Sequence, residues 1–370
     1  MRRLKAQAYF NHAGLGRPSL AIIERMRAAE IEYRDYLFSE AGVELYLSTA
    51  LECRTAIARL LGLATPAGIS LMGNATTAVQ LVLTGLGATL QPGDSIITSD
   101  QEHPCVVRRL NMLARRGAQV IAIGADAEES FLSRINDEVR RRRPAFVILS
   151  QVSYKDGRIL PVAAIGELLA HTAIPYIVDG SQALGHVPID VATSRAWAYI
   201  FSGHKWLGGP WGTGGLWTSE HFAAHNRVTL SNWEDDRDPP SGGRYEGGTM
   251  SYATIVGLRE ACRDFAGHQA NRSDMLTRLR EQIITRLDGV YRLADSLWRD
   301  RHAPGIVTYL MPPGRNSWTL AEDLLEKYAV AIKPFRPPEV PDAIRISWSP
   351  ATTAAEVDLL IRAIHAESDV

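Results

Sequence analysis

Tyr199-Ile-Phe-Ser-Gly-His-Lys205-Trp-Leu-Gly-Gly209 is an apolar run that ends in Ser202, His204 and Lys205 and then turns on glycines. A run this short, closed by glycines, predicts a buried strand. One amine then stands at the strand end, with a hydroxyl and an imidazole beside it. Such an amine can form an imine with an aldehyde cofactor. Taken alone, the segment reads first as a buried strand followed by a surface lysine.

An upstream segment changes that balance. Tyr176-Ile-Val-Asp179-Gly-Ser-Gln182-Ala-Leu-Gly-His186 is a second apolar run, and it ends in an acid. A carboxylate at a strand end is the partner that a protonated pyridine nitrogen needs. It favours both charged states, so the ring can accept electrons from a carbanion at a substrate Cα. Gln182, three residues on, is placed to reach a ring oxygen. Together the two strand ends predict a pyridoxal 5'-phosphate site. The pair Asp179-Gly-Ser-Gln182 and Ser202-Gly-His204-Lys205 resembles the class V group of fold-type I pyridoxal phosphate enzymes. That group holds cysteine desulfurases, isopenicillin N epimerase-like proteins, kynureninase and cysteine C–S lyases. The resemblance runs from residue 9 to residue 350.

The intervening chain agrees with this. Candidate strands lie at Ile69–Gly73, Ser95–Ser99, Gln119–Gly124, Ala145–Val152, Tyr176–Asp179, Ala198–Phe201 and Gly214–Trp217. Helix-like stretches such as Thr76–Leu90, Val106–Arg116, Glu128–Arg142 and Val162–His171 separate them. Alternation of this kind predicts an α/β fold with a mostly parallel, seven-stranded sheet covered by helices. Ligands of such sheets sit at the carboxyl ends of the strands, where Asp179 and Lys205 fall. Tyr252–Arg286 reads as long helix, in one or two pieces. The rest of the chain alternates strands (Gly305–Leu310, Ile344–Trp348) with helices (Leu320–Tyr328, Ala354–Ala366), a smaller C-terminal α+β domain. The expected organisation is an N-terminal active-site arm over 1–18, a large cofactor domain over 19–250 and a small domain over 251–370. The polar segment Asn232–Tyr245 reads as an exposed loop, either inert or an active-site lid.

Other positions are assigned on the resemblance. Ile69-Ser-Leu-Met-Gly-Asn-Ala75-Thr76-Thr77 is strand, small turn and helix start, which presents free N–H groups and a dipole end to an anion. It resembles the family's phosphate turn at Ala75 and Thr76, and Ser202 and His204 would complete the shell. His103 matches a histidine that stacks on the cofactor ring and takes part in proton transfer; a helix-capping histidine is the other reading. Glu246-Gly-Gly-Thr249 resembles an element that reaches the partner subunit's cofactor phosphate, which implies a homodimer with shared active sites. Arg345 matches the anchor for the substrate α-carboxylate, since a guanidinium forks onto a carboxylate. Asn11, His12 and Ala13 match a substrate-side loop, with Asn11-His12 closer to isopenicillin N epimerase-like members. Tyr154 stands where many desulfurases carry Asn. Trp206, Trp211 and Trp233 either line a large pocket or pack a glycine-rich turn.

Composition narrows the remaining classes. A net charge of -1 gives no electrostatic case for nucleic acid or a membrane surface. The three cysteines, Cys53, Cys105 and Cys262, form no CxxC pair, which argues against a disulfide framework and against zinc. No apolar stretch follows Met-Arg-Arg-Leu-Lys5, so a cytoplasmic location is expected. No run is long enough to span a bilayer.

The reaction is bounded by one missing residue. A desulfurase carries its persulfide cysteine on a loop before the Arg345 strand, and Ala331–Val340 contains none. The expected activity is β-elimination from an S-substituted L-cysteine to thiol, pyruvate and ammonia, in sulfur natural-product biosynthesis. Decarboxylating deamination, epimerisation or transamination of a related amino acid is the alternative, and desulfuration ranks below these. A regulator that binds the cofactor passively is disfavoured by the intact Lys205 and the absence of a helix-turn-helix segment before the domain. Lys205 is the expected catalytic base, with His103 and Asp179 beside it.

Overall fold

A computed structural model describes residues 5–37, 39–225, 242–294, 301–337 and 341–368. In chain order the first elements are β1 (Ala8–Tyr9), α1 (Leu20–Arg34), α2 (Glu40–Leu60), β2 (Ile69–Met72), α3 (Ala75–Gly87), β3 (Ser95–Ser99) and α4 (Pro104–Arg115). Next come β4 (Gln119–Ile123), α5 (Glu128–Arg142), β5 (Phe146–Ser150), α6 (Val162–Leu169), β6 (Tyr176–Asp179), α7 (Val191–Ser194), β7 (Ala198–Ser202), β8 (Gly214–Thr218) and α8 (Glu220–His225). The last are α9 (Tyr252–Arg286), β9 (Arg292–Leu293), β10 (Ile306–Leu310), α10 (Ser317–Tyr328), β11 (Val330–Ala331), β12 (Lys333–Phe335), β13 (Ala343–Ser347) and α11 (Ala354–Ser368). Contacts divide the chain into two units, one of residues 17–152 and 160–267, the other of residues 1–16, 153–159 and 268–370.

In the first unit seven strands form one sheet in the order β2-β8-β7-β6-β5-β3-β4. β4, β3, β5, β6 and β7 run parallel, and β8 is antiparallel to both its neighbours. Of the parallel strands, β3, β5, β6 and β7 are buried along their whole length because helices cover both faces, while the edge strand β4 exposes Gln119 and Ala122. Their registers align the functional ends: Ser150 is level with Asp179, and Ser202 with Gly214. The central helix α3 buries Ala78, Val79, Leu81, Val82, Leu83 and Leu86, apolar on more than one side, as a core helix must be. Helix α4 buries only Val106, Leu110 and Leu113, one stripe at helical spacing. The acids opening α5 and the arginines closing it oppose its dipole.

The second unit has its own core. β12, β13, β10 and β9 make an antiparallel sheet, and the two-residue strands β1 and β11 pair in parallel. Phe10, Ile283, Leu287, Val307, Leu324, Ile344, Ile346, Trp348, Leu360 and Ile364 pack together fully buried. The helical stretch from Tyr252 is a single helix of 35 residues, not two. Residues 232–241 of the expected loop lie outside the described residues. Gly242–Tyr245 is a 3-10 turn that buries Tyr245 against Phe222, so that end of the segment is core and not exposed loop.

Candidate active site

The first unit gathers its polar groups at the carboxyl ends of β3, β5, β6 and β7. Asp179 closes β6 and is buried. One of its oxygens accepts from the Ser181 amide at 2.9 Å and from the Ser181 hydroxyl. This hold fixes the carboxylate through its own next-but-one residue and leaves the second oxygen for a cation. Gly180 is required between them, because a Cβ there would run into the Tyr199 ring. Tyr199 in turn donates to Gln151 Oε1 at 2.5 Å.

Gln182 is oriented by Trp206. The indole N–H donates to Gln182 Oε1 at 2.7 Å, and an indole can only donate. The amide therefore gives its acceptor end to Trp206 and keeps its NH2 as donor, the end a ring oxygen would need. Beneath Trp206, His186 stacks at 3.6 Å between ring centroids and 13°. His186 is buried, which pushes its pKa down to about 3 and keeps it neutral, and its Nδ1 donates to the Gln182 carbonyl at 3.0 Å. Trp206 is thus an internal brace; Trp211 is 61% exposed, and Trp233 lies outside the described residues.

His103 is the N-cap of α4, with Pro104 at the first helical position. Its Nδ1 accepts from the Cys105 amide at 3.3 Å and lies 3.1 Å from Cys105 Sγ. Capping occupies Nδ1 and puts the ring proton on Nε2, so the cap orients the ring and does not compete with stacking. The Cys105 thiol is pushed up to about 11 by burial, then by the charge of Asp179; a Thr76 hydrogen bond and Lys205 oppose this. Thr76, Cys105, Asp179 and Lys205 are therefore neighbours.

Ala75 and Thr76 open α3. Asn74 caps it, its Oδ1 accepting from Thr77 N at 2.9 Å, so the amides of Ala75 and Thr76 keep no intrahelical acceptor. Gly214 is forced here, since a Cβ would stand 3.0 Å from Ala75 N and 2.8 Å from Phe201 O. Across the sheet register from Gly214, the Ser202 hydroxyl is buried without a hydrogen-bond partner. His204 Nδ1 donates to Thr213 O at 2.8 Å, which turns Nε2 away from the backbone. Burial lowers the His204 pKa, the Thr213 bond raises it, and Lys205 lowers it. An orphaned buried hydroxyl beside two unclaimed helix-start amides is a cradle for phosphate. With Lys205, the second oxygen of Asp179 and the Gln182 amide, these residues fit pyridoxal 5'-phosphate.

Sequence reasoning passed over Glu102. It is buried and accepts from Ser99 Oγ at 2.5 Å, Ser150 N at 3.0 Å and Ser150 Oγ at 2.7 Å. Burial pushes its carboxyl up to about 7, the three hydrogen bonds pull it down, and the nearby charge of Asp179 adds to the rise. It ties the β3–α4 corner, and so His103, to the end of β5. The visible signal was an acid one residue before His103.

The second unit holds the other expected residues. Arg345 is buried on β13 and donates from Nη1 to Tyr154 O at 2.5 Å and from Nη2 to Asn11 Oδ1 at 3.1 Å; its Nε has no partner. Burial draws its pKa down to about 10, with Tyr154 and Tyr9 acting against that. The arm residues are fastened to the same strand: Ala13 N donates to Ser347 Oγ at 3.0 Å, and His12 N to Ser347 O at 3.2 Å. A Cβ on residue 14 would stand 2.7 Å from Asn11 Oδ1, so glycine there leaves the Asn11 amide room at Arg345. His12 is buried edge-on to Tyr9, ring centroids 5.0 Å apart. Gly247, Gly248 and Thr249 are exposed, while Glu246 anchors their start, accepting from Leu71 N at 2.6 Å and from Arg54 Nη2 at 2.8 Å.

Comparison with known proteins bears on this site. Residues 44–360 match the family model for class-V aminotransferases. The chain is similar to a cysteine desulfurase of Dickeya dadantii (strain 3937), 27% identical over 97% of this chain and 91% of that one. It is also similar to an isopenicillin N epimerase of Streptomyces clavuligerus, 28% identical over 90% of this chain and 87% of that one. A probable cysteine desulfurase of Mycolicibacterium paratuberculosis (strain ATCC BAA-968 / K-10) is 31% identical over 57% of this chain, which spans only 32% of that relative's length. Among solved structures, the cystine C–S lyase C-DES with cysteine persulfide has the same fold, with a TM-score of 0.85 at 22% identity, covering 97% of each chain. The chain belongs to the class-V aminotransferase family, its fold is that of fold-type I pyridoxal phosphate enzymes, and its cofactor is pyridoxal 5'-phosphate.

Proposed function

We propose that this class-V family member is a C–S β-lyase that cleaves an S-substituted L-cysteine to a thiol, pyruvate and ammonia. The observation that carries the reading is the state of its thiols. The segment 331–340 before the Arg345 strand has no cysteine. Cys53 and Cys262 are buried with thiols pushed up, Cys53 to about 12, and Cys105 is raised to about 11 against His103. None is a thiolate at neutral pH, and a persulfide carrier has to be one. Sulfur then leaves from Cβ as a free thiolate.

In this reading Lys205 Nζ is the base that would take the proton from the substrate Cα. Bound pyridoxal phosphate supplies the sink for the electron pair left at Cα. Asp179 would hold the proton on the ring nitrogen, and Gln182 and His103 would fix the ring plane. Ala75, Thr76, Ser202 and His204 would hold the phosphate, with Thr249 supplied by a second copy. Arg345, Asn11, His12 and Ala13 belong to substrate binding, the guanidinium on the α-carboxylate. Elimination of the thiolate yields 2-aminoacrylate, which water converts to pyruvate and ammonia.

A homodimer is supported by one face of α2. Val43, Leu47 and Leu51 form an apolar stripe at helical spacing, each 50% exposed or more. A cytoplasmic place in sulfur natural-product biosynthesis belongs to the same proposal; no helix among the described residues is long and apolar enough to cross a membrane. Epimerisation is the second reading, favoured by the likeness of Asn11-His12 to epimerase-like members and by the epimerase relative.

The test is a product assay on S-alkyl and S-glycosyl cysteines that follows pyruvate, thiol and carbon dioxide together. Equal pyruvate and thiol, lost in Lys205→Ala, is the expected result. Carbon dioxide with the sulfur retained, or inversion at Cα without elimination, overturns it.

A further inference from the structure

Arg345 does not stand alone on its sheet. In the antiparallel pairing of β12 with β13, Lys333 lies directly opposite Arg345. Directly opposed residues put their side chains on the same face with Cβ atoms about 5 Å apart, and like charges placed so repel. Both positions are inward to some degree: Arg345 is buried and Lys333 half-buried.

No acid offsets the pair among the described residues. Arg345 meets neutral groups, the Tyr154 carbonyl, the Asn11 amide oxygen and the Phe335 ring centred 5.3 Å from its guanidinium carbon, and the groups that raise its pKa are Tyr154 and Tyr9. Burial and the Arg345 charge both lower the Lys333 pKa, and no carboxylate counters them. Lys333 Nζ lies 5.8 Å from the Trp318 ring centre, too far to be more than a weak contact. Arg336, the next cation on this edge, is exposed and sits over the same ring at 4.3 Å. The Arg345 Nε is buried without a partner. A sheet that opposes two cations, supplies neutral acceptors only and leaves a guanidinium N–H unclaimed is built to be completed by anions.

A single carboxylate occupies the guanidinium fork and leaves the ammonium unmatched. We infer that Lys333 is a specificity-determining residue that receives a second carboxylate, so that the substrate is an amino acid whose side group is itself anionic. This rests on the β-lyase proposal for the identity of the reaction, since it refines which cysteine conjugate is cleaved: one with a carboxylate on the sulfur substituent, such as an S-carboxyalkyl cysteine.

The test separates binding from chemistry. Calorimetry on the holoenzyme compares L-glutamate with L-glutamine, equal in shape and different by one charge. The expected result is roughly tenfold tighter binding of the dicarboxylate, about one charge-assisted hydrogen bond. The ratio of the two dissociation constants falls to about one in Lys333→Met and returns in Lys333→Arg, which also shows that the fold is kept. Equal affinities in the wild type, or a ratio unchanged in Lys333→Met, overturn the inference. Equal weakening of both ligands in Lys333→Met overturns it too, because it places Lys333 on the α-carboxylate.

Turnover supplies the second arm, with S-(2-carboxyethyl)cysteine against its neutral S-(2-carbamoylethyl) counterpart. Pyruvate from both at equal kcat/KM leaves the lyase reading standing and sinks the role of Lys333. Pyruvate from neither, with the binding ratio intact, sinks the lyase reading alone.

Discussion

The two units hold their functional side chains in opposite ways. At the strand ends of the first, three groups are each fixed by a residue two or three positions along the chain, and Gln182 and His204 reach only to Trp206 and Thr213, 24 and 9 positions on. Asp179 is held by Ser181, His103 by Cys105 and Asn74 by Thr77. In the second, Arg345 is held by Tyr154 and Asn11, 191 and 334 positions away. Local fixing makes a site a compact peptide motif whose geometry survives as long as its strand does. Remote fixing makes a site that exists only when the whole unit has closed. The first arrangement suits a cofactor that every member of a family shares. The second suits a substrate that differs between members, because each remote partner can change alone.

The sharpest test of that contrast is Arg345→Ala. It should lower kcat/KM by roughly a thousandfold, about 4 kcal/mol, while cofactor affinity stays as it was. Equal losses in both, measured by steady-state kinetics and cofactor titration, would show that the units do not divide the work as argued. Next is Glu102, whose carboxyl is raised from the usual carboxylate range to about 7. The folded chain then binds a proton that the unfolded chain releases near pH 4. Its contribution is full below about pH 4 and is lost as pH rises to 7, on the order of 3 kcal/mol. Denaturant melts of the apoprotein between pH 4 and 8 should show this slope, and Glu102→Gln should flatten it. A slope that survives the substitution assigns the proton elsewhere.

Ser202→Ala should weaken pyridoxal phosphate binding by about 2 kcal/mol, near thirtyfold, without lowering apoprotein stability, because the hydroxyl has no partner to lose. A drop in apoprotein Tm would show that Ser202 serves the fold first. Smallest is Asn74→Ala, expected to cost about 1 kcal/mol as a lost N-cap. If cofactor binding falls far more than stability, the cap also sets the phosphate amides.

This contrast also explains what the sequence could tell. The sheet was legible because its strands are continuous apolar runs broken by glycine, and the candidate site at its edge could be named because Asp179, Gln182, Ser202, His204 and Lys205 lie within short motifs. Arg345 was visible only as one arginine in an apolar strand; Tyr154 and Asn11 as its holders were not, since nothing local marks a contact across hundreds of residues. Glu102 was hidden for a different reason. Its partners are serines at the ends of two strands, and serine at a strand end is too ordinary to signal a buried carboxylate. For Trp206 the sequence left a pocket wall and the packing of a glycine-rich turn both open, and only the fold shows its N–H turned to Gln182. The opposition of Lys333 to Arg345 depends on strand register, which neither segment encodes alone.

Two of the three cysteines are buried and the third is half-buried, and that bears on sulfur chemistry. An enzyme that releases thiols or persulfides works in a solution of its own sulfur products, and thiolates on its surface would be drawn into disulfide exchange with them. Here Cys53 and Cys262 are sealed in the core and Cys105 is held protonated beside His103. Exchange needs an accessible thiolate. If the chain is the proposed lyase, it should therefore resist capture by a thiol product and keep its activity through many turnovers without a reductant.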